Sequence, residues 1–312
     1  MPGQLELEFN PPGLDLVEHP LLAQRGISLR MLRLDQVHPQ IHGNKWFKLA
    51  HNLLAIRESG QRTVLSFGGA YSNHLVALAA AGKLVGFKTI GLVRGEISDP
   101  ENPVLAFLRE QGMELHGLSR EDYRKKNDPD FTATLNRRFG AHYRLPEGGS
   151  NSLAVQGCQE ISDYIAWENT EAPRLVVAAC GTGATLAGVI LGLARRESAE
   201  QHSPTGLKVR GISVLKAPGY LQGEVAAWLR GEGCNPRLDW DVLDDYHCGG
   251  YARTSPELGA FLAEFATHST IPIEPVYTGK MLYGLFGQIS SGAVPAGTEV
   301  VAIHSGGVFP LK

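Results

Sequence analysis

The sequence has few cysteines, little net charge and no tract of biased composition. Its 312 residues include four cysteines, at positions 158, 180, 234 and 248, without a CxxC pair, which argues against a zinc ribbon or a disulfide framework. The formal net charge is −3, so bulk charge gives no support for a nucleic-acid partner. The first residues, MPGQLELEFNPPG, lack a basic patch followed by an apolar run. We therefore expect no signal peptide, a cytoplasmic location and free thiols.

One uncharged stretch, from Leu175 to Ala194, is long enough to cross a bilayer. Its centre is the glycine turn CGTGAT (180–185), with a β-rich half before it and an Ala/Leu-rich half after it. A broken pattern of this kind favours a buried strand, a turn and a buried helix over a membrane span. We expect no membrane partner.

Short β-like runs alternate with helix-like segments along the chain. The clearest strand candidates are TVLSF (63–67), RLVVAAC (174–180) and EVVAIH (299–304). Helices are predicted over residues 73–84, 129–139, 151–169 and 279–290. Apolar strands separated by amphipathic helices indicate an α/β protein with parallel sheets flanked by helices.

The glycine turn at 180–185 is suited to an anion. The first N–H groups of a helix are unpaired, and Thr182 and Thr185 add hydroxyl donors. Three interpretations stay open: a plain turn, a dinucleotide site, or a cup for one phosphate such as that of pyridoxal phosphate. A dinucleotide fingerprint expects glycine or alanine where Leu186 stands, and an acid about 20 residues later. An NAD-binding oxidoreductase is therefore the weaker alternative.

A second glycine turn and a lysine segment extend this pattern. The turn FGGAYSNH (67–74) ends with Ser72 and Asn73, which are good helix N-caps. Two such turns could hold two anionic ends of one ligand, for example a phosphate and an amino-acid carboxylate. In HGNKWFKL (42–49), Lys45 and Lys48 flank an aromatic pair. A lysine in an apolar setting has a lowered pKa and can form a Schiff base with an aldehyde cofactor.

Six motifs in order resemble one enzyme family. They are GNKxxKL, GGxxSNH, EGGSN (147–151), GTGATLAG (181–188), PVYTGK (275–280) and HSGG (304–307). From about residue 30 onward the sequence is similar to the D-cysteine desulfhydrase and 1-aminocyclopropane-1-carboxylate deaminase family, which are pyridoxal-phosphate enzymes of the tryptophan-synthase-β fold (fold type II). The resemblance implies a large domain (1–47 and 152–312), a smaller inserted domain (48–151), a small amino-acid substrate and a homodimer.

The resemblance also implies roles for cofactor-binding residues. Lys45 corresponds to the lysine that carries the cofactor, and Lys48 to a nearby basic residue. Asn73 corresponds to the residue that binds the phenolic oxygen of the cofactor. The phosphate cup corresponds to the turn residues Cys180, Gly181, Thr182, Gly183, Ala184 and Thr185.

Other positions in the resemblance concern the substrate. Ser72 corresponds to a serine that contacts the substrate carboxylate, with Asn73 and His74 beside it, and Tyr251 and Tyr277 to tyrosines that flank the reacting centre. The deaminases have Glu where Thr278 stands, facing the pyridine nitrogen, and Leu where Ser305 stands. A carboxylate there keeps the nitrogen protonated and makes the ring a stronger electron sink.

These two positions favour β-elimination from D-cysteine to pyruvate, sulfide and ammonia. A 1-aminocyclopropane-1-carboxylate deaminase, which would give 2-oxobutanoate, and a non-catalytic binding protein remain as alternatives. His42 and His74 depart from the family pattern, which leaves the exact amino acid and its stereochemistry open. The cysteines lack clustered His or Asp partners, and we expect no metal.

Overall fold

Two β-sheets form the centre of the protein. The computed structural model describes residues 7–169, 171–199 and 206–307. The larger sheet contains β1 (Leu14–Leu16), β2 (Ser28–Leu32), β7 (Arg174–Cys180), β8 (Leu207–Ser213), β9 (Asp239–Leu243) and β10 (Glu299–Ile303). The smaller sheet contains β3 (Thr63–Gly69), β4 (Lys88–Arg94), β5 (Glu114–Leu118) and β6 (Tyr143–Arg144). The strand orders are β1-β2-β10-β7-β8-β9 and β5-β4-β3-β6.

The sheets are parallel, as predicted, with one exception at an edge. Strand β1 pairs antiparallel with β2, whereas the other neighbours run parallel. Every residue of the central strand β7 is buried, as expected for a strand covered on both faces. The sequence pattern did not identify β1 or β2.

Helices cover both sheets. They are α1 (Pro20–Arg25), α2 (Asn44–Glu58), α3 (Asn73–Val85), α4 (Pro103–Glu110), α5 (Arg120–Arg124), α6 (Pro129–Phe139), α7 (Ser152–Gln159), α8 (Ala184–Ala199), α9 (Tyr220–Gly231), α10 (Pro256–His268) and α11 (Thr278–Ser290). The predicted helices at 73–84, 129–139 and 279–290 are confirmed to within a residue or so. Their caps explain the accuracy: Ser72 accepts a hydrogen bond from the N–H of Leu75, and Asp128 accepts from two N–H groups of α6.

One predicted helix is wrong in length. The helix expected over 151–169 ends at Gln159, and a short 3₁₀ segment, Glu160–Tyr164, follows it. Beyond the end of the helix, the guanidinium of Arg196 donates to the carbonyls of both Ser162 and Ile165. These hydrogen bonds give the two carbonyls a partner outside a regular helix.

The uncharged stretch from Leu175 to Ala194 is confirmed as strand, turn and helix, namely β7, the glycine turn and the first part of α8. Within the described ranges, the structure has no helix long and apolar enough to cross a membrane.

The topology places two glycine turns near each other. Strand β3 ends in the turn before α3, and β7 ends in the turn before α8. Ligands of open parallel sheets bind outside the carboxyl ends of the strands, where such turns lie. Helix α2 spans Asn44–Glu58 and therefore runs through the predicted domain boundary at 47/48. The domain limits stay a prediction.

Close packing of α7 on α2 depends on Gly157. A Cβ at this position would lie 2.1 Å from the carbonyl oxygen of Phe47. We expect Gly157→Ala to lower the free energy of unfolding by about 1–3 kcal/mol, because the two helix backbones must separate. Denaturant unfolding measures this. Gly259→Ala is the control, because nothing lies within 4 Å of its Cβ position in α10, and it should stabilise by about 0.5–1 kcal/mol. Equal effects of both changes would contradict the packing argument.

Candidate active site

A cavity of about 600 Å³ lies where the two glycine turns face each other. This volume is typical of a site for a small molecule or cofactor. Its wall includes most of the predicted site residues, namely Lys45, Lys48, Ser72, Asn73, His74, Cys180, Gly181, Thr182, Gly183, Thr185, Tyr251, Tyr277 and Ser305. Two predicted residues are not part of the wall. Ala184 begins α8, and Thr278 is fully buried at the start of α11.

A backbone contact fixes the position of Lys45. Helix α2 begins at Asn44, whose N–H donates to the carbonyl of Ser305 at 3.1 Å. Gly43 has φ +72°, and a Cβ there would lie 2.1 Å from that same carbonyl oxygen. Only glycine fits at this position. The contact brings together the GNK and HSGG motifs, which lie near opposite ends of the chain.

Burial changes the acid–base behaviour of the two lysines. Loss of solvent, together with the nearby charge of Lys48, lowers the pKa of Lys45 to about 7. Loss of solvent likewise lowers the pKa of Lys48 to about 8. A lysine with a pKa near 7 has a large neutral fraction at physiological pH, and its amine is then a usable nucleophile.

Asn44 orients the Lys45 amine. Its side-chain oxygen accepts a hydrogen bond from Nζ of Lys45 at 3.0 Å, and its Nδ2 donates to Oγ1 of Thr185 at 2.9 Å. Asn44 thus connects the lysine to the glycine turn of β7. Sequence reasoning missed this residue, although it stands in the GNK motif itself.

Lys48 connects two predicted motifs. Its Nζ donates to the carbonyl of Gly148 at 3.1 Å, to Oγ of Ser150 at 2.8 Å and to Oγ1 of Thr182 at 3.3 Å. In the same turn Gly183 has φ +78°, a conformation that favours glycine. A buried cation, hydroxyl donors and the unpaired N–H groups of the α8 N-terminus converge here. This combination suits a phosphate.

The second turn positions a histidine whose tautomer can be assigned. Ser66 donates its hydroxyl hydrogen to the carbonyl of Leu145 at 2.9 Å, so it must accept from Nε2 of His74 at 2.8 Å. Nδ1 of His74 therefore carries a lone pair, and it is buried without a hydrogen-bond partner. Burial first, and then the charges of Lys45 and Lys48, hold the pKa of His74 well below its usual value. This side chain is a neutral acceptor.

The two predicted tyrosines lie together. The rings of Tyr251 and Tyr277 have centroids 6.0 Å apart at 68°. A Cβ at Gly181 would lie 3.2 Å from the ring of Tyr277, so this ring lies close to the glycine turn. Burial, with smaller effects from Tyr251, raises the pKa of Tyr277 well above its usual value. Tyr277 is therefore protonated at neutral pH.

Glu274 organises the start of α11 and was missed in the sequence. Its carboxylate accepts hydrogen bonds from the N–H groups of Val276, Tyr277 and Thr278, at 2.6–3.0 Å. Burial nevertheless raises its pKa. The only signal was its place directly before PVYTGK. By contrast, Oγ1 of the fully buried Thr278 has no hydrogen-bond partner among the described residues.

The loop that carries Tyr251 has an unusual backbone. Cys248 and Ala252 have φ of +50° and +54°, a region that non-glycine residues rarely adopt. Such conformations persist only where the surroundings hold them. The fully buried Lys280 donates from Nζ to the carbonyl of Gly250 at 2.7 Å. Lys280 therefore anchors this loop to α11.

One group of possible metal ligands lies outside the cavity. His19, Glu264 and His268 each place a ligand atom within 4.8 Å of the others. Nδ1 of His19 accepts from the N–H of Leu21, so Nε2 carries the hydrogen of the neutral ring; Nε2 lies 2.8 Å from Oε1 of Glu264 but makes no hydrogen bond within the described part of the chain. In this tautomer Nε2 has no lone pair to offer a metal. The four cysteines are free thiols, and Cys158 and Cys180 are buried.

Comparison with known proteins identifies the family. The family described as pyridoxal-phosphate dependent enzyme matches residues 15–306. The chain therefore belongs to this family, and it is an enzyme that depends on pyridoxal phosphate.

Individual relatives agree with the predicted resemblance. A Thermotoga maritima protein, provisionally named 1-aminocyclopropane-1-carboxylate deaminase, is 31% identical over 99% of this chain and 97% of its own. An Arabidopsis thaliana mitochondrial protein, named bifunctional D-cysteine desulfhydrase/1-aminocyclopropane-1-carboxylate deaminase, is 28% identical over 97% of this chain and 76% of its own. A crystal structure of an ACC deaminase homologue has a TM-score of 0.79 at 24% identity, covering 97% of this chain and 91% of that one. The predicted fold is confirmed.

The cavity fits this cofactor on structural grounds. The amine of Lys45 is part of the cavity wall and has a pKa lowered to about 7, which suits the attachment of an aldehyde. A Cβ at Gly181 would be in tight contact with the ring of Tyr277, at 3.2 Å, and Lys48 supplies positive charge at the turn. A phosphate and an aldehyde therefore each have a suitable group in the cavity wall.

Lys280 provides a test of how the site is held. We expect Lys280→Met to speed amide hydrogen exchange in residues 248–252 by about ten-fold, because the Gly250 carbonyl loses its buried donor. Exchange followed by mass spectrometry measures this. Lys83→Met, which changes an exposed lysine of α3, is the matched control and should leave exchange in this loop unchanged. Unaltered exchange in Lys280→Met would show that other contacts hold the loop.

Proposed function

We propose that the enzyme eliminates the β-substituent of a small amino acid, with D-cysteine as the favoured substrate and pyruvate, sulfide and ammonia as products. Thr278 carries this proposal. Its neutral hydroxyl stands where the deaminases in the resemblance have a glutamate, and the nearby Glu274 is already occupied by three backbone N–H groups. A hydroxyl leaves the ring nitrogen unprotonated and the electron sink weaker. A thiolate can leave from such a site, whereas opening a cyclopropane needs the stronger sink.

The residues that would hold the cofactor are assigned from the family resemblance together with the cavity wall. Lys45 would hold it through its aldehyde, and Lys48 with residues 181–185 through its phosphate. Thr278 would bind the ring nitrogen, and Asn73 the phenolic oxygen. When bound, pyridoxal phosphate withdraws electrons from the Cα of the amino acid and makes its proton removable.

The acid–base roles follow from the pKa directions. Nζ of Lys45, with a pKa of about 7, can take a proton at neutral pH. Tyr277 remains protonated because its pKa is raised, so it can donate a hydrogen bond or a proton but is not the base. We therefore assign proton removal to Lys45.

Substrate binding is assigned to the start of α3. Ser72 uses a lone pair to cap the helix at Leu75, which leaves its hydroxyl hydrogen free for a carboxylate. The N-terminus of α3 also favours an anion. Nδ1 of His74 offers an acceptor to a donor group, and Ser305 contributes a small polar side chain to the wall.

The deaminase reaction is the second candidate. The Thermotoga maritima relative, at 31% identity, is provisionally named for it, and the Arabidopsis thaliana relative is named for both reactions. The homodimer and the cytoplasmic location stay predictions.

Product analysis tests the reaction. With pyridoxal phosphate added, we expect D-cysteine to give pyruvate, while 1-aminocyclopropane-1-carboxylate gives little or no 2-oxobutanoate; L-cysteine and D-serine define the stereochemical and leaving-group preferences. Lys45→Ala should reduce turnover by at least about 10³-fold, because it removes both the covalent anchor and the base. Lys83→Ala is the control. Release of 2-oxobutanoate without pyruvate would overturn the proposal in favour of the deaminase.

The lowered pKa of Lys45 predicts a pH dependence. Below about pH 7 the amine is protonated and unreactive, and above it the neutral amine predominates. Attachment of pyridoxal, which lacks the phosphate, should therefore rise through about pH 7 when trapped with borohydride and located by peptide mass. Lys48→Met removes a neighbouring positive charge, so it should move the midpoint upward. A midpoint near that of an exposed lysine in the wild type would be inconsistent with a buried amine.

A further inference from the structure

A second recess borders the active-site cavity. It has a volume of about 280 Å³ and is lined by Phe67, Lys126, Asn127, Arg144, Pro146 and Glu147. Four of these residues also belong to the wall of the active-site cavity. The two spaces therefore share one side. We call the smaller space the basic recess.

The fold places the basic recess where ligands of parallel sheets bind. Phe67 lies near the end of β3, and Arg144 is the last residue of β6, which pairs with β3. Arg94 is the last residue of β4, on the other side of β3. The carboxyl ends of these parallel strands share one edge of the sheet, which is the edge used for binding in open parallel sheets. Phe67 and Arg144 line the recess itself, whereas Arg94 lines the adjoining active-site cavity.

Two aromatic rings gather positive charge at this edge. The rings of Phe67 and Tyr123 pack edge to face, with centroids 6.1 Å apart at 83°. Arg144 lies 5.3 Å from the centroid of Phe67, while Arg94 and Lys126 lie 5.7 Å and 5.2 Å from that of Tyr123. Cation–π contact therefore holds three like charges around one pair of rings.

Nearby carboxylates balance only one of these charges. Glu147 accepts from the hydroxyl of Tyr123 at 2.8 Å and lies 3.3 Å from Nζ of Lys126. Arg144 donates only to neutral groups, Oγ1 of Thr132 at 2.5 Å and Oδ1 of Asn127 at 3.4 Å. Among the residues that the structure describes, no carboxylate lies within 4 Å of the guanidinium of Arg144 or of Arg94. Two guanidinium groups are thus left without a counter-charge beside the active site.

We propose that the basic recess binds a small oxyanion, such as a carboxylate, sulfonate, sulfate or phosphate, with Arg144 as the main donor and Arg94 as the second. A guanidinium matches the two oxygens of such a group with parallel N–H donors. The oxyanion is either an acidic group on the side chain of the substrate or a free anion that acts on the neighbouring site. The possibility that the substrate supplies the oxyanion rests on the proposed elimination. The binding of an oxyanion in the recess does not.

Calorimetric titration of the full-length enzyme with inorganic sulfate tests the binding. Pyridoxal phosphate is kept saturating so that the phosphate cup is filled, and chloride keeps the ionic strength constant. We expect the wild type to bind sulfate and Arg144→Met, which keeps the apolar contact with Phe67, to bind at least about ten-fold more weakly. Arg138→Met is the matched control, because Arg138 also lies over an aromatic ring, that of Phe139, but is not part of the recess.

Absence of sulfate binding by the wild type, or equal binding by Arg144→Met, overturns the proposal. If Arg144→Met does not fold, Arg94→Gln decides in the same way. A protein that binds sulfate through Arg144 but gives no product from D-cysteine overturns only the proposed function. A protein that turns over D-cysteine but binds no sulfate overturns only the recess.

Kinetics separate the two sources of the oxyanion. If the substrate supplies it, sulfate competes with an amino acid that has an acidic side chain, and Arg144→Met lowers kcat/KM for that amino acid relative to D-cysteine by at least about ten-fold. If a free anion supplies it, sulfate changes kcat on D-cysteine, and Arg144→Met removes this change. If neither effect is seen, the proposed link between the recess and the reaction is overturned.

Discussion

The burial of the Lys45 amine is the constraint on which the site depends. A charged amine is costly to hold away from water, so the cavity shifts Lys45 toward its neutral form, and Lys48 adds to the shift. The backbone contact between Gly43 and Ser305 keeps the lysine in this place. The buried position of Lys45 thus turns an ordinary lysine side chain into a nucleophile for an aldehyde cofactor.

The two sheets contribute different chemistry to one cavity. The larger sheet supplies the turn after β7, where Lys48 and Thr182 offer donors for a phosphate. The smaller sheet supplies the turn after β3, where Ser72 caps α3 and His74 presents an unpaired acceptor. Because both sheets direct the carboxyl ends of their strands toward the same space, a cofactor and an amino acid can be held side by side. The basic recess extends this arrangement along the edge of the smaller sheet.

Much of the fold could be predicted where local signals agree. Helices α3 and α6 begin at capping residues, Ser72 and Asp128, and β7 is a continuous apolar run between glycine and charge. The helix predicted over 151–169 was too long: it ends at Gln159, and the carbonyls of Ser162 and Ile165 beyond it accept hydrogen bonds from Arg196, a residue distant in sequence. Strand β1 was missed because three residues at an antiparallel edge leave almost no periodic pattern.

The sequence by itself determined the set of motifs, and their resemblance to one enzyme family indicated the cofactor. Glycine turns, caps and the GNK lysine are local features with local causes. Only the tertiary structure decided what surrounds them. The tautomer of His74 depends on its contacts with Ser66 and Leu145, and the Tyr251 loop is anchored by Lys280. The charge of Arg144 is uncompensated because its hydrogen-bond partners are neutral. Hydrogen bonding, desolvation and ion pairing act over a few ångströms in space, so residues far apart along the chain set them.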